Sequence, residues 1–317
     1  MTGFSADWLA LREPFDHAAR AATVDASWLH APWRRAMPRG HALQVVDLGS
    51  GTGANLREIA PRLGGRQHWR LFDHDPQLLA ALPAALAPWA AARGLQLQLR
   101  EALLVIEGGD GLRIEVERCE ADLANLADIA NLADPVDPAD PADPAHGRDA
   151  LPLAGAHLVT ASALLDLVSA AWLDALVARC AAAGAAVWWA LTVDDRITWA
   201  PSDPDDALVL AQFHAHQRRD KGFGPALGGA AVEHAAKRLA QAGYQVIRTA
   251  SDWQVDGSRG ATDLAMLRAM VEGIAAAAAE QAPARAERAT HWQARKLERL
   301  DALRLRLGHT DLQAWLP

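Results

Sequence analysis

Apolar and polar residues change their spacing several times along this chain, and each change marks a boundary between predicted elements. Residues 5 to 41 carry apolar side chains in helical spacing: Trp8, Leu9 and Leu11, then Ala18, Ala19 and Ala22, then Trp28, Leu29 and Trp33. Side chains three and four apart share one helical face, so this stretch predicts two or three short helices. At Leu43 the pattern becomes a short apolar run, Leu43, Val45 and Val46, which ends in Asp47 and a glycine loop. Runs of that length bounded by turn residues read as buried strands. A helix over 54 to 63, a strand over about 68 to 72 and a helix over about 76 to 93 follow. Such a strand-loop-helix-strand unit implies parallel strands joined by a right-handed crossover.

Residues 95 to 99 and 103 to 106 alternate or run apolar, Gly108-Gly109-Asp110-Gly111 is a strong turn, and Leu112, Ile114 and Val116 alternate again. That is a β-hairpin pattern. Residues 134 to 145 repeat Asp-Pro with no apolar period. Proline removes backbone donors and favours extended geometry, so this stretch is predicted to be a solvated loop without a catalytic role. Regular structure resumes with a strand over 156 to 161, a helix over 163 to 183 and a strand over 185 to 193. Residues 194 to 229 are polar and rich in Pro, Gly, His and Arg, and are predicted to form an inserted lid. A helix over 230 to 242, a strand over 244 to 250, helices over 261 to 282 and 285 to 302, and alternating Leu303, Leu305 and Leu307 complete the chain.

The expectation is an α/β fold: a Rossmann-like doubly wound sheet, mostly parallel, with an antiparallel last strand. Its parts would be a helical N-terminal cap (1-41), a core (42-193, including the Asp-Pro loop at 134-150), a lid (194-229) and a C-terminal remainder (230-317) with a helical insertion.

Composition narrows the function. The chain has 317 residues, 51% of them hydrophobic, which supplies ample apolar surface to bury. Net charge is -8 with Lys and Arg scattered, so no basic stripe exists to neutralise phosphates and no nucleic-acid partner is expected. Two distant cysteines, Cys119 and Cys180, make neither a metal knuckle nor a disulfide framework. No signal-peptide pattern opens the sequence and its Ala-rich runs are cut by charges, so the expectation is a cytoplasmic protein without a membrane span.

The chemistry is concentrated in Val45-Val46-Asp47-Leu48-Gly49-Ser50-Gly51-Thr52-Gly53-Ala54-Asn55. Glycines at alternate positions between a strand and a helix allow positive φ and close approach of backbone N–H groups to a ligand. The dinucleotide fingerprint spaces its glycines Gly-x-Gly-x-x-Gly. The Asp-x-Gly-x-Gly-x-Gly pattern here resembles instead the first motif of class I S-adenosylmethionine-dependent methyltransferases. That resemblance covers about residues 42 to 193. It implies a cofactor seat built from Asp47, Gly49, Ser50, Gly51, Gly53 and Asn55. It also implies that Asp73, beside His74 in Leu71-Phe72-Asp73-His74-Asp75-Pro76, receives the ribose hydroxyls, and that Asp122-Leu123 meets the adenine edge. Ala161 and Ser162, within Leu158-Val159-Thr160-Ala161-Ser162-Ala163-Leu164-Leu165, would face the methyl group. The opening residues Trp8 to Arg20, Trp69 to Pro76 and Lys221 to Gly228 are also similar to a less characterised bacterial branch, which carries the reaction class and no substrate.

Methyl transfer is an in-line displacement, so holding the acceptor aligned in a dry site supplies most of the catalysis, with a base where the acceptor carries a proton. Candidate catalytic residues are Asp166, at a helix start after the fourth strand, and His214 and His216, in a polar stretch with Arg218 and Lys221. A helix N-terminal acid and a solvated loop explain the same residues without function. Arg20 could pair with the cofactor carboxylate, or be a solvated helical arginine. No third ligand accompanies His214-x-His216, so no metal is expected. The fourth strand is followed by Thr160-Ala161-Ser162-Ala163 rather than the Asn/Asp-Pro-Pro-aromatic set of nucleic-acid and protein N-methyltransferases, which points to a small-molecule acceptor. The alternatives are a nicotinamide-dependent oxidoreductase and a non-catalytic ligand-binding protein on the same fold.

Overall fold

The computed structural model describes residues 5–21, 34, 41–100, 103–109, 111–126 and 153–317. The second and third expected N-terminal helices and the Asp-Pro repeat lie outside these residues. Helix α1 (Ala6–Ala21) leads to strand β1 (Leu43–Leu48), helix α2 (Ala54–Leu63), strand β2 (Arg66–Asp73) and helix α3 (Pro76–Ala92). Asp75 starts α3 by accepting from the Gln77 amide at 2.8 Å, with Pro76 placed where its missing N–H costs nothing. Strands β3 (Gln96–Arg100), β4 (Leu103–Glu107) and β5 (Arg113–Glu120) form an antiparallel meander, the expected hairpin, and β5 also pairs in parallel with β2.

Strand β6 (Leu158–Ser162), helix α4 (Ala170–Ala182), strand β7 (Ala186–Ala200) and helix α5 (Asp206–Gln217) come next. Helix α6 (Ala231–Gln241), strands β8 (Gln245–Ala250) and β9 (Trp253–Asp256), helices α7 (Ala261–Gln281) and α8 (Ala286–Leu297), and strand β10 (Arg304–Trp315) complete the chain. The sheet runs β3-β4-β5-β2-β1-β6-β7-β10-β8, with β9 also on β10. β1 is parallel to β2 and β6, and β6 to β7, whereas β10 is antiparallel to β7 and β8. This is the doubly wound arrangement expected, with its reversed last strand.

Both faces of the sheet are buried. Leu56 and Ile59 of α2 and Leu82 and Leu86 of α3 pack with Val45, Trp69 and Leu71 on one face. Trp172 and Leu176 of α4 and Ala235 and Leu239 of α6 pack with Val46, Val159 and Trp189 on the other. α1 lies on the α2 side. A third core joins Phe15 of α1 to Trp199 of β7, Trp253, Leu305 and the inner faces of α5, α7 and α8.

Two features differ from the sequence expectation. Residues 194 to 200 continue β7 rather than opening a lid, because Ile197 and Trp199 turn toward the third core while β10 supplies the ladder as far as Arg304. β9 was not anticipated: Trp253 and Val255 are its only inward residues, too short an alternation to read from sequence. Among the described residues no helix is long and apolar enough to cross a membrane.

In the third core Lys296 is almost fully enclosed, with its ammonium 5.0 Å above the Trp199 ring and bonded to Asp206. Trp292 beside it is unexposed and donates Nε1–H to Asp206 at 2.7 Å. Replacing Trp292 by Ala should therefore cost about 3–5 kcal/mol of stability in urea unfolding, since it opens a large cavity and removes one donor from the half-buried Asp206 carboxylate.

Candidate active site

The loop after β1 takes its shape from three left-handed glycines, with φ of 64° at Gly49, 53° at Gly51 and 78° at Gly53. Its backbone is pinned at each turn. Ser50 N–H donates to the Phe72 carbonyl at 3.0 Å, Gly53 N–H to the Ser50 carbonyl at 2.9 Å, and Gly51 N–H to Asp73 Oδ2 at 2.7 Å. Asp73 Oδ1 accepts from the Asp75 amide at 3.0 Å, and the largely exposed His74 ring lies 3.5 Å from the same oxygen. A carboxylate at the tip of β2 thus closes the loop of β1. A Cβ on Gly51 would lie 2.9 Å from Leu9 of α1, and one on Gly53 2.5 Å from Leu82. The loop is a cradle with no room for side chains, and α1 roofs it. Ser50 Oγ is buried there with no partner among the described residues.

Beneath the cradle runs a row of enclosed polar groups. Asn55 donates to Asp47 Oδ1 at 2.8 Å and to Thr160 Oγ1 at 2.7 Å, and accepts from Arg20 Nη1 at 2.8 Å. Burial pushes the Asp47 carboxyl up to about 7, against the pull of Asn55 and Arg20. Arg20 is 2% exposed, lies 5.3 Å over the Trp188 ring and faces Asp311 at 3.7 Å. Here the structure ties Arg20 to Asn55 and Asp311, within the sheet face, instead of leaving it solvated on α1. A guanidinium buried this deeply needs carboxylate partners to offset its lost hydration. α1 is tied down elsewhere too: Glu13 accepts from Arg57 Nε and Nη2, each at 2.6 Å, and Asp16 accepts from Trp253 Nε1 at 2.9 Å. Between α1 and α2 a cavity of about 340 Å³ reaches down past His17, Arg20 and Asn55 to Ser162 and Leu191.

At the far end of the loop, Asp122 is exposed and caps a turn by accepting from the Ala124 amide at 2.9 Å. Leu123 is buried, and its carbonyl accepts from Trp172 Nε1 at 2.6 Å. On the other side β6 ends at buried Ala161 and at Ser162, and the chain turns through Ala163 in a left-handed conformation with φ 52°. Leu164 comes within 3.6 Å of the Cβ position of Gly49.

Asp166 sits in the single turn Leu165–Leu167 rather than at a helix start; α4 begins later, where Ser169 caps the Trp172 amide. The Asp166 side chain is buried and its Oδ1 has no partner among the described residues. Burial pushes its carboxyl up to about 6; its own amide, Arg12 and the Val193 amide oppose this, and Asp195 adds to it.

β7 carries two irregularities above this turn. Its register with β10 shifts between Thr310 and Leu312 and again between Leu307 and His309, and in each gap β7 holds a left-handed residue, Leu191 (φ 53°) and Asp195 (φ 64°). Bulges of this kind re-aim side chains beside functional sites. The Leu191 amide freed by the first donates to Asp311 Oδ1 at 2.8 Å.

The two candidate histidines part company. Both lie on α5, not in a loop. His214 faces Asp195, and burial lowers its ring below the ordinary imidazole value, with Asp195 opposing and Arg218 adding. His216 points to α7, 3.3 Å from Glu280, and does not join the site. Among the described residues no cluster of His, Cys, Asp or Glu could hold a metal ion. Leu191, Asp195 and Asp311 are residues of this region that the sequence reading did not single out.

The raised Asp166 pKa gives a stability prediction. A folded-state value of about 6 against 3.8 means that the native state holds the extra proton between those pH values, so stability falls as pH rises through that window. Asp166→Asn should gain about 1–3 kcal/mol in urea unfolding at pH 8, and the gain should vanish below about pH 4.

No protein-family model matches the chain. No curated protein matches it either. Among solved structures it is similar to phosphoethanolamine N-methyltransferase 2 of Haemonchus contortus in complex with S-adenosyl-L-methionine: 13% identity, 100% of this chain and 58% of that one, TM-score 0.41. It is also similar to a cyclopropane-fatty-acyl-phospholipid synthase-like protein from Lactobacillus casei: 15% identity, 99% and 95% coverage, TM-score 0.42. A third is a SAM-dependent methyltransferase of Leishmania major: 10% identity, 77% and 68% coverage, TM-score 0.37. The chain spans little more than half the length of the Haemonchus enzyme.

Proposed function

We propose that this chain is an S-adenosylmethionine-dependent methyltransferase acting on a small molecule. The observation that carries the reading is the cradle: three left-handed glycines, held by the bond from Gly51 N–H to Asp73, in which an added Cβ at Gly51 or Gly53 would run into Leu9 or Leu82. Asp73 spends one lone pair of each oxygen on the backbone, leaving others to accept from the two hydroxyls of a ribose. Asp122, exposed at the end of β5, is available to an exocyclic amine. The helix behind Gly53 follows the third glycine directly, and a pyrophosphate site needs one residue more between the second and third glycines. These features favour an adenosyl amino acid over a nicotinamide dinucleotide.

When bound, the cofactor supplies a methyl group on a positively charged sulfur. The protein's task is to align the acceptor with that group and keep water out. Leu9 and the rest of α1 cover the cradle, Leu164 and Ala163 form its floor on the acceptor side, and Asp166 presents an unpartnered carboxylate oxygen to whatever enters. A roof clamped at Glu13, Asp16 and Arg20 suits a small acceptor better than a polymer.

Isothermal titration with S-adenosylhomocysteine tests the reading. Binding is expected in the wild-type protein, abolished in Gly51→Arg and weakened about 10–100-fold in Asp73→Asn, the loss of a charged hydrogen-bond acceptor. Absence of binding at millimolar ligand, or binding of NAD in its place, would contradict it.

A further inference from the structure

We propose that two copies of this chain join along β3, their edge strands pairing antiparallel about a two-fold axis at Gln98 so that the two sheets become one. The inference concerns assembly and holds whatever the cradle binds.

β3 ends the sheet, so one side of its backbone is paired with β4 while the other presents unpaired N–H and C=O groups. Proteins commonly blunt such an edge with a proline, a bulge or an inward-pointing charge. β3 reads Gln-Leu-Gln-Leu-Arg and keeps unbroken register with β4, from Gln96 opposite Glu107 to Arg100 opposite Leu103, so none of these devices interrupts it. The other end of the sheet differs: β8 carries Arg248 in mid-strand, paired with Glu233 of α6. On β3 the mid-edge side chain is Leu99, which is 63% exposed, and no other large hydrophobic side chain among the described residues is exposed.

Opposite residues of neighbouring strands share a face, so Val116, Leu104 and Leu99 form one apolar row across β5, β4 and β3, and Ile114, Ile106 and Leu97 form the next. The members on β5 and β4 are buried in the core beneath α3, but the rows run out at the edge, with Leu97 half-buried and Leu99 bare. An axis at Gln98 sets Leu97 opposite Leu99 of the partner subunit, and Leu99 opposite Leu97 of the partner subunit. Each row then continues into the other row of the second copy, and both leucines are enclosed.

Charge supports the same register. Gln96, Gln98 and Arg100 share the opposite face, where Glu107 and then Arg113 follow Gln96 across β4 and β5. The pairing brings Arg100 of the partner subunit to the open side of Gln96, two strand spacings or about 10 Å from Glu107. The chain's own Arg100, four residues further along β3, already comes within 3.9 Å of Glu107, so the partner's Arg100 reaches it from nearer. Across the joint cation and anion alternate, with no like charges opposed.

A strand edge of five residues falls short of the roughly 1,600 Å² that a standard interface buries. Helix α3, which packs on β3, β5 and β2, adds apolar surface beside it. None of its 17 residues is charged, although Ala80, Ala84, Ala87, Pro88 and Ala91 are exposed. The two-fold axis sets two such helices on one face of the joined sheet, and isologous contact of this kind closes at a dimer.

Sedimentation velocity on the full chain from about 1 to 200 µM, the range of standard-size contacts, tests the assembly. A dimer is expected, and Leu99→Lys should raise its dissociation constant at least tenfold with the thermal midpoint of the monomer unchanged, since Leu99 is exposed there. A second variant fixes the register without disturbing the core. Gln98→Cys places two thiols across the axis with Cα atoms about 4.5–5.5 Å apart, within disulfide reach. Mild oxidation should cross-link it to a covalent dimer. Gln96→Cys, whose two copies would stand about 14 Å apart, and the wild-type chain with Cys119 and Cys180 should stay uncross-linked. A chain monomeric at every concentration would overturn the proposal and leave the edge to a strand of another protein. A dimer indifferent to Leu99→Lys, or cross-linking of Gln96→Cys as readily as of Gln98→Cys, would overturn it as well.

Discussion

One buried carboxylate, Asp311, fixes the geometry on which the site depends. It is 4% exposed, on the last strand, and it reaches four directions: the freed amide of Leu191 at 2.8 Å, Ser251 Oγ at 2.6 Å, Trp188 Nε1 at 3.5 Å and Arg20 Nε at 3.7 Å. The first contact stabilises a bulge that would otherwise leave a backbone donor unpaired in the core. The last brings α1 onto the sheet. Reversing the final strand is therefore more than a way to fill the sheet edge, because it delivers this acid between the central strands and the N-terminal helix.

From that anchor the site follows in order. Arg20, held by Asp311, reaches Asn55, and Asn55 holds Asp47 and Thr160. These groups fix the start of α2 and hence the glycine cradle above it. With Arg20 in place, the first half of α1 lies across the cradle and Leu9 meets Gly51. The bulges of β7 then lift the strand's outer half away from the parallel ladder and into the third core, where Trp199, Trp253 and Trp292 hold it. Asp166 Oδ1 and His214 Nε2 are buried without a partner among the described residues.

Much of the fold was legible in the sequence because it follows from short-range pattern. Apolar runs gave β1, β2, β6 and β7, and the hairpin before Glu120 declared itself through Gly108 to Gly111. The cradle was legible too, since its conformation demands glycine at alternate positions, and Asp73 was singled out through the resemblance of Leu71 to Pro76 to the methyltransferase motif. The rest depends on partners distant in sequence. Asp195 is one acid in an Asp-Asp-Arg run, and nothing local distinguishes it from a solvated turn; only the pairing of β7 with Gly308, more than a hundred residues on, aims it. Polar residues 194 to 200 read as an insertion because their ladder partner had yet to appear in the chain. Arg20 read as either a partner of the cofactor carboxylate or a solvated arginine for the same reason, its counter-charge Asp311 lying far along the chain. His214 and His216 were indistinguishable until α7 placed Glu280 beside one of them.

The central claim is that the cradle between β1 and α2 holds an adenosyl amino acid. A crystal structure of the protein grown with S-adenosylhomocysteine tests it most directly. The account requires the nucleoside over residues 49 to 53, with both ribose hydroxyls on Asp73 and the sulfur turned toward the end of β6 at Ser162. An empty cradle, or the same cradle filled by a phosphate-bearing cofactor, would contradict it.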